Sequence, residues 1–161
     1  MKTILVFGDS ILQKVEFESS LEFNYVCESY PGSLARDFAT RDLYQFEASL
    51  KAEKPNILVL CLGTNDKGHG LLDQDIVDSL KTLQTFAQDK YKVEKVIVCM
   101  LHRDWDSLND LIEATFENIS TVCDAITTMT EAELEEDGFH LNSAGKEILA
   151  ASVEDLVQSM F

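Results

Sequence analysis

Positive charge is scarce in this sequence. Its 161 residues include 13 lysines and arginines against 29 aspartates and glutamates, so the formal net charge is −16. DNA, RNA and anionic membrane surfaces would repel such a chain. We therefore expect no nucleic-acid partner, whereas a small neutral substrate is compatible with this charge.

Long hydrophobic runs are absent as well. No stretch approaches the roughly 20 apolar residues that a membrane-spanning helix needs, so we expect no membrane insertion. The start of the chain, MKTILVFGDS, has a short apolar run that ends at Gly8-Asp9, which is not the pattern of a secretory signal peptide. A cytoplasmic location is the expectation from these two observations.

Cysteine is present but never as a CxxC pair. The four cysteines are Cys27, Cys61, Cys99 and Cys123, and each lies in an apolar segment. This placement favours buried free thiols over disulfides. The histidines His69, His102 and His140 do not have the spacing of a zinc site either, so the sequence predicts no metal and no other cofactor.

Two hydrophobic patterns alternate along the chain. Apolar runs rich in β-branched residues predict buried strands at Thr3–Phe7, Phe23–Cys27, Asn56–Leu62, Val93–Met100 and Val122–Thr127. Helical periodicity follows at Ile76–Phe86, Leu108–Ile119 and Ile148–Val157, with one or two further helices between Leu34 and Leu50. Such alternation indicates right-handed crossovers in a parallel sheet. We predict one α/β domain, residues 1–161, that forms a three-layer α/β/α sandwich with a flavodoxin-like five-stranded sheet in the order 2-1-3-4-5.

The first connection of this sheet is unusually short. Only 12 residues separate Ser10 from Phe23, which barely meets the dozen or so that a parallel crossover requires. The first crossover helix is therefore predicted to be short or missing. One face of the first two strands would then lack its usual cover, which would either open a wall of the pocket or leave an apolar patch for a homodimer.

Three polar clusters follow strands or precede the last helix on one predicted edge of the sheet. They read Gly8-Asp9-Ser10, Gly63-Thr64-Asn65-Asp66 and Asp137-Gly138-Phe139-His140. Ligands of open parallel sheets bind beyond the carboxyl ends of the strands. Because strands one and three are neighbours in the predicted order, we expect Ser10 and Asn65 to lie side by side.

The residue types in these clusters are those that acyl transfer requires. Ser10 can attack a carbonyl, His140 can take its proton, and Asp137 can hold the imidazole in the correct tautomer. The side chain of Asn65 and the backbone N–H groups of Ser10 and Gly32 can donate hydrogen bonds to an oxyanion.

Together these residues resemble the SGNH hydrolases, also called the GDSL esterase/lipase family. The resemblance runs from residue 4 to about residue 157: GDSIL contains Ser10, a lone glycine corresponds to Gly32, GTND contains Asn65, and DGFHLNSAG contains Asp137 and His140. It implies the same sandwich fold and hydrolysis of esters or thioesters without a metal. The GxSxG pattern of the α/β-hydrolases is absent.

The expected function is therefore that of a serine esterase that cleaves small or short-acyl esters, such as acetyl esters, through an acyl-enzyme. Two alternatives stay open at this point. A catalytically silent module could keep the fold for binding or assembly, although the complete residue set argues against it. An acyltransferase would pass the acyl group to an acceptor other than water.

Several residues near these clusters have two interpretations. Arg103 and Trp105, which follow the fourth strand, are candidate substrate contacts, with a surface or packing role as the alternative. Asp9 and Asp66 are expected to brace their own loops through hydrogen bonds to the backbone. His69 is expected to be a solvent-exposed loop residue.

Overall fold

Five parallel strands form a single sheet in the computed structural model, which describes residues 1–161. The strands are β1 (Lys2–Gly8), β2 (Phe23–Ser29), β3 (Ile57–Cys61), β4 (Lys95–Cys99) and β5 (Thr121–Cys123). The helices are α1 (Ala35–Ala39), α2 (Leu43–Glu53), α3 (Thr64–Gly68), α4 (Asp73–Tyr91), α5 (Asp106–Phe116) and α6 (Ser143–Ser159). The strand order β2-β1-β3-β4-β5 confirms the predicted topology.

The core lies in two layers, one on each face of the sheet. Strands β1 and β3 are buried on both faces, which explains why their sequences are continuous apolar runs without alternation. One layer packs the sheet against α6, and the other packs it against α1, α2, α4 and α5. In the second layer the ring of Phe7 contacts those of Phe38 and Phe46 at centroid distances of 4.8 and 5.1 Å. None of the six helices is long and apolar enough to cross a lipid bilayer.

The first connection contains no α-helix, as predicted, and only a 3-10 turn at Ser10–Leu12. Loop side chains replace the missing helix, since Ile11, Leu12 and Val15 are buried in the same layer as α6. The uncovered face expected for the first two strands is therefore not found at β1, whose residues from Ile4 to Phe7 are fully buried. On β2 the cover is incomplete and Cys27 is exposed, so the prediction of four buried thiols is wrong for this one. The homodimer stays a prediction.

Strand β5 is shorter than predicted. It ends at Cys123, and a 3-10 turn occupies Ala125–Thr128. The reason is local, because the backbone N–H of Thr127 and its Oγ1 both donate to the carbonyl of Asp124, at 3.0 and 2.6 Å. Such side-chain bonds offer the backbone an alternative to the strand ladder.

Candidate active site

The carboxyl ends of β1, β2 and β3 lie next to one another. Gly8 is in register with Ser29 on β2 and with Cys61 on β3. The chain stays at this edge beyond the strands, since the N–H of Tyr30 donates to the carbonyl of Gly8 at 2.8 Å. This register brings the segments that follow β1, β2 and β3 together, as the sheet order predicted.

Gly8 and Asp9 set the position of Ser10. A Cβ on Gly8 would overlap the carbonyl oxygen of Cys61 and come within 2.6 Å of the Leu12 side chain, so only glycine allows this close approach. Asp9 then caps the 3-10 turn, because its Oδ1 accepts the N–H of Ile11 at 3.0 Å. This bond confirms the bracing role expected for Asp9. The result is a half-exposed Ser10 above two buried side chains, Ile11 and Leu12.

The position of Asp9 is electrostatically unfavourable for its charged form. Its side chain is only 1% exposed, and its Oδ2 has no hydrogen-bond partner. Burial raises the pKa of Asp9 from 3.8 to about 7, and the nearby charge of Asp66 adds to the increase. Asp9 is therefore a carboxyl group that gains or loses its proton near neutral pH.

Ser10 meets His140 across 130 residues of sequence. The Oγ of Ser10 lies 3.0 Å from the Nε2 of His140, and the Nδ1 of His140 is hydrogen-bonded to the carboxylate of Asp137. A carboxylate only accepts, so Nδ1 carries the hydrogen and Nε2 is free to accept from the serine hydroxyl. The hydrogen bond from His140, together with the backbone N–H groups of Phe139 and His140, lowers the pKa of Asp137 to about 2.

The segment that carries His140 is a tight turn. Oδ1 of Asp137 accepts the N–H groups of Phe139 and His140 at 2.9 and 3.0 Å. Gly138 has a φ of +78°, a conformation that glycine adopts without the strain of a side chain. The base of the turn is closed by a bond of 2.7 Å from the N–H of Glu135 to the carbonyl of His140. The DGFH sequence thus makes a turn in which the acid braces the backbone of its own histidine.

Asn65 and Asp66 attach the end of β3 to the loop that contains Gly32. The Nδ2 of Asn65 donates to the carbonyl of Ser33 at 3.0 Å, which uses one of its two hydrogens. Asp66 is fully buried and accepts the N–H groups of Ala35 and Arg36 at 2.8 and 3.1 Å. Asp66 was expected to brace its own loop, but it holds the first residues of α1 instead.

Two backbone donors at this edge have no acceptor in the local backbone. The N–H groups of Ser10 and Gly32 donate no turn or loop hydrogen bond to another backbone carbonyl. Gly32 is exposed, has a φ of +79°, and would have open space around a Cβ, so its backbone is accessible to a ligand. These two N–H groups and the second hydrogen of Asn65 Nδ2 are thus available to a ligand, and the oxyanion role predicted for them stays a prediction.

A cavity of about 400 Å³ opens beside Ser10, Asp137 and His140. Its other lining residues are Gln13, Lys14, Glu135, Leu141 and Lys146, of which only one is hydrophobic. The side chains of His140 and Asp137 are 49% and 48% exposed. This polar wall is not predictable from the sequence, because nothing in the pattern of surface lysines distinguishes Lys14 and Lys146 from the other lysines.

Arg103 and Trp105 do not line this cavity. The Nη1 of Arg103 donates to the carbonyl of Met129 at 2.7 Å, and Trp105 stacks on Phe139 with ring centroids 5.7 Å apart. Both residues support the neighbouring loops, which favours the packing interpretation, and their contact with a substrate stays a prediction. His69 is exposed, as expected. No group of three or more His, Cys, Asp or Glu side chains is placed to hold a metal ion.

Sequence comparison and structural comparison give different results for this chain. A scan against protein-family models gives no match, and a search of curated protein sequences gives none either. Solved structures do match over nearly the whole chain. A mutant acetyl esterase crystallised with an acetate ion is 20% identical with a TM-score of 0.74, and the match covers 98% of this chain and 97% of that one.

Two further structures have the same architecture. A carbohydrate esterase of family 3 from Talaromyces cellulolyticus is 19% identical with a TM-score of 0.73, over 98% of this chain and 97% of that chain. A GDSL-like lipase from Bacteroides thetaiotaomicron VPI-5482 is 15% identical with a TM-score of 0.79, over 99% of this chain and 89% of that chain. The chain therefore shares its fold, over nearly its full length, with esterases and GDSL-like lipases.

Proposed function

We propose that this chain is a serine carboxylic-ester hydrolase of the SGNH type. The observation that carries the proposal is the contact of 3.0 Å between Ser10 Oγ and His140 Nε2, with Asp137 on the opposite nitrogen of the ring. A nucleophile, a base and a group that orients the base are the parts that this reaction needs. The shared fold with esterases and GDSL-like lipases supports the same assignment.

In the first half-reaction, Ser10 Oγ attacks the ester carbonyl while its proton passes to His140 Nε2. The carbonyl oxygen becomes an oxyanion, which accepts from the N–H groups of Ser10 and Gly32 and from Asn65 Nδ2. The tetrahedral intermediate then collapses, and the proton on His140 goes to the departing alcohol oxygen. Asp137 stabilises the imidazolium throughout.

In the second half-reaction, water replaces the alcohol. His140 takes a proton from the water, the resulting hydroxide attacks the acyl-serine, and the proton returns to Ser10 Oγ as the carboxylic acid leaves. An acceptor alcohol in place of water would make the protein an acyltransferase, and analysis of the products with an alcohol present distinguishes the two.

Replacing the nucleophile tests this mechanism. Ser10→Ala should abolish hydrolysis of p-nitrophenyl acetate and covalent labelling by a fluorophosphonate, because both reactions need the serine oxygen. Ser143→Ala removes an exposed hydroxyl three residues from His140 and should leave both unchanged. A wild-type protein that neither hydrolyses the ester nor takes the label would be the catalytically silent module.

We also infer a preference for short acyl groups. Leu141 is the one hydrophobic residue among the eight that line the cavity beside Ser10, and the first connection contributes a 3-10 turn where a helix could wall an acyl channel. A long alkyl chain would gain little there, since each methylene must be removed from water to contribute about 0.8 kcal/mol. The acetyl ester should therefore be cleaved with a higher kcat/KM than the decanoyl ester, and the reverse order would refute this preference.

A further inference from the structure

A second histidine contacts the turn that carries His140. His102 follows β4, is only 7% exposed, and has its Nε2 2.8 Å from the carbonyl oxygen of Gly138. Its Nδ1 lies 3.1 Å from the backbone nitrogen of Asp104. Gly138 stands between Asp137 and His140, so this contact reaches the turn at its centre.

The two partners of His102 determine its tautomer. A backbone N–H can only donate, so Nδ1 must accept from Asp104. A carbonyl can only accept, so Nε2 must carry the hydrogen and donate it to Gly138. The neutral imidazole therefore satisfies both bonds at once, and a buried ring with both nitrogens bonded has a defined orientation.

His102 itself stands on a rigid base. Asn109 of α5 is only 3% exposed, and its side chain bonds the N–H and carbonyl of Leu101 at 2.7 and 3.2 Å and the carbonyl of His102 at 2.9 Å. The ring of His102 also contacts the ring of Phe139 at a centroid distance of 4.7 Å. Asn109 of α5 thus fixes the backbone of His102, while the imidazole Nε2 of His102 contacts a half-exposed turn.

We propose that His102 is a positioning residue, whose Nε2–H holds the carbonyl of Gly138 and thereby keeps His140 in line with Ser10. The proposal rests on the proposed hydrolase function. The hydrogen bonds of Asp137 and Glu135 are internal to the turn. On the side of β4 the turn is held by the bond from His102 and by the ring contacts of Phe139 with His102 and Trp105. Losing the bond from His102 would let the turn shift against Ser10 and open its internal hydrogen bonds more often.

The alternative is that His102 only fills space beside Phe139. Two variants distinguish these roles. His102→Phe keeps a planar ring but removes both ring nitrogens. His102→Gln removes the ring but keeps one hydrogen-bond donor and one acceptor. His69→Phe is the matched control, because it makes the same change at an exposed histidine. Far-UV circular dichroism verifies the fold, and His102→Met replaces His102→Phe if the latter does not fold.

Two measurements are made on each variant. For H102F we expect kcat on p-nitrophenyl acetate to fall about ten- to a hundredfold with KM nearly unchanged, since a small displacement of a catalytic group has a cost of that size. H102Q should recover most of the loss, and H69F should match the wild type. Amide hydrogen exchange at Gly138, Phe139 and His140 should be faster in H102F and return toward the wild-type rate in H102Q.

The outcomes separate this proposal from the proposed function. A wild type without hydrolysis or fluorophosphonate labelling overturns the function, whereas the exchange rates still decide whether His102 holds the turn. An active wild type with equal kcat in H102F overturns the positioning role alone. Equal losses in H102F and H102Q, or unchanged exchange in the turn, would assign His102 to packing and also overturn it.

Discussion

Asp9 offers the sharpest test of the electrostatics behind the nucleophile. Its carboxyl group is buried and keeps one oxygen without a partner, so its charged form is disfavoured in the folded protein. Asp9→Asn keeps an oxygen that can accept the N–H of Ile11 and removes the ionisation. We expect this substitution to make the stability of the protein less dependent on pH.

The size and sign of the effect follow from the pKa of Asp9, which rises from 3.8, the value for an unperturbed aspartate in the unfolded chain, to about 7 in the folded protein. Below pH 4 both the folded and the unfolded state hold the proton. Between about pH 4 and pH 7 only the folded state holds it, so stability falls as the pH rises through this window. Each tenfold change in an acid constant is worth about 1.4 kcal/mol, which gives a loss of about 4 kcal/mol once the pH is above 8.

Urea denaturation of the wild type and of Asp9→Asn at pH 5.0 and pH 8.5 measures the part of the effect between these two values, which is about 3 kcal/mol. The wild type should lose more stability than the variant between these two conditions, and most of the loss should be absent from the variant. Asp89→Asn changes an exposed carboxylate and serves as the control. A difference between Asp9→Asn and the wild type that is the same at both pH values would refute the account.

Two further predictions concern the reacting groups. Asn65→Ala should lower kcat about a hundredfold or more with a smaller change in KM, because an oxyanion donor acts mainly in the transition state. Single-turnover kinetics with p-nitrophenyl acetate measure the acylation step. An unchanged acylation rate would show that Asn65 is not an oxyanion donor. Asp137→Asn should lower kcat by at least about a hundredfold, because the amide favours the wrong tautomer of His140. Its folding should stay cooperative in urea, and activity close to that of the wild type would show that Asp137 does not orient His140.

Much of the fold was predictable because its determinants are local. Strands β1 and β3 are buried on both faces, so their sequences are unbroken apolar runs, and the length of the first connection alone excluded a full crossover helix. The contact between Ser10 and His140 was predicted from the residue types of the polar clusters and from the family resemblance rather than from the sheet order, because His140 does not follow a strand directly.

Features that depend on contacts distant in sequence were not predictable. The acceptor role of Asp66 requires the N-terminus of α1, which lies 30 residues earlier in the chain. The contact of His102 is not predictable, because its partner, the carbonyl of Gly138, is a backbone atom and leaves no signature in the sequence. The end of β5 was misplaced because one threonine next to an aspartate carbonyl outweighed the strand propensity of the run.

Each of the three loops at the site is braced by its own or a neighbouring aspartate, but Asp9 and Asp137 differ in burial and in pKa. Asp9 is buried, holds a single backbone N–H through one oxygen, and has its pKa raised to about 7, so the fold disfavours its charged form. Asp137 is half-exposed, bonds the His140 ring, and has its pKa lowered to about 2, so its charge persists through the whole range in which the site would work. Asp9→Asn should therefore preserve the loop at Asp9. Asp137→Asn should preserve the turn but lose ester hydrolysis, because the charge of Asp137 faces the His140 ring, which becomes an imidazolium in the reaction.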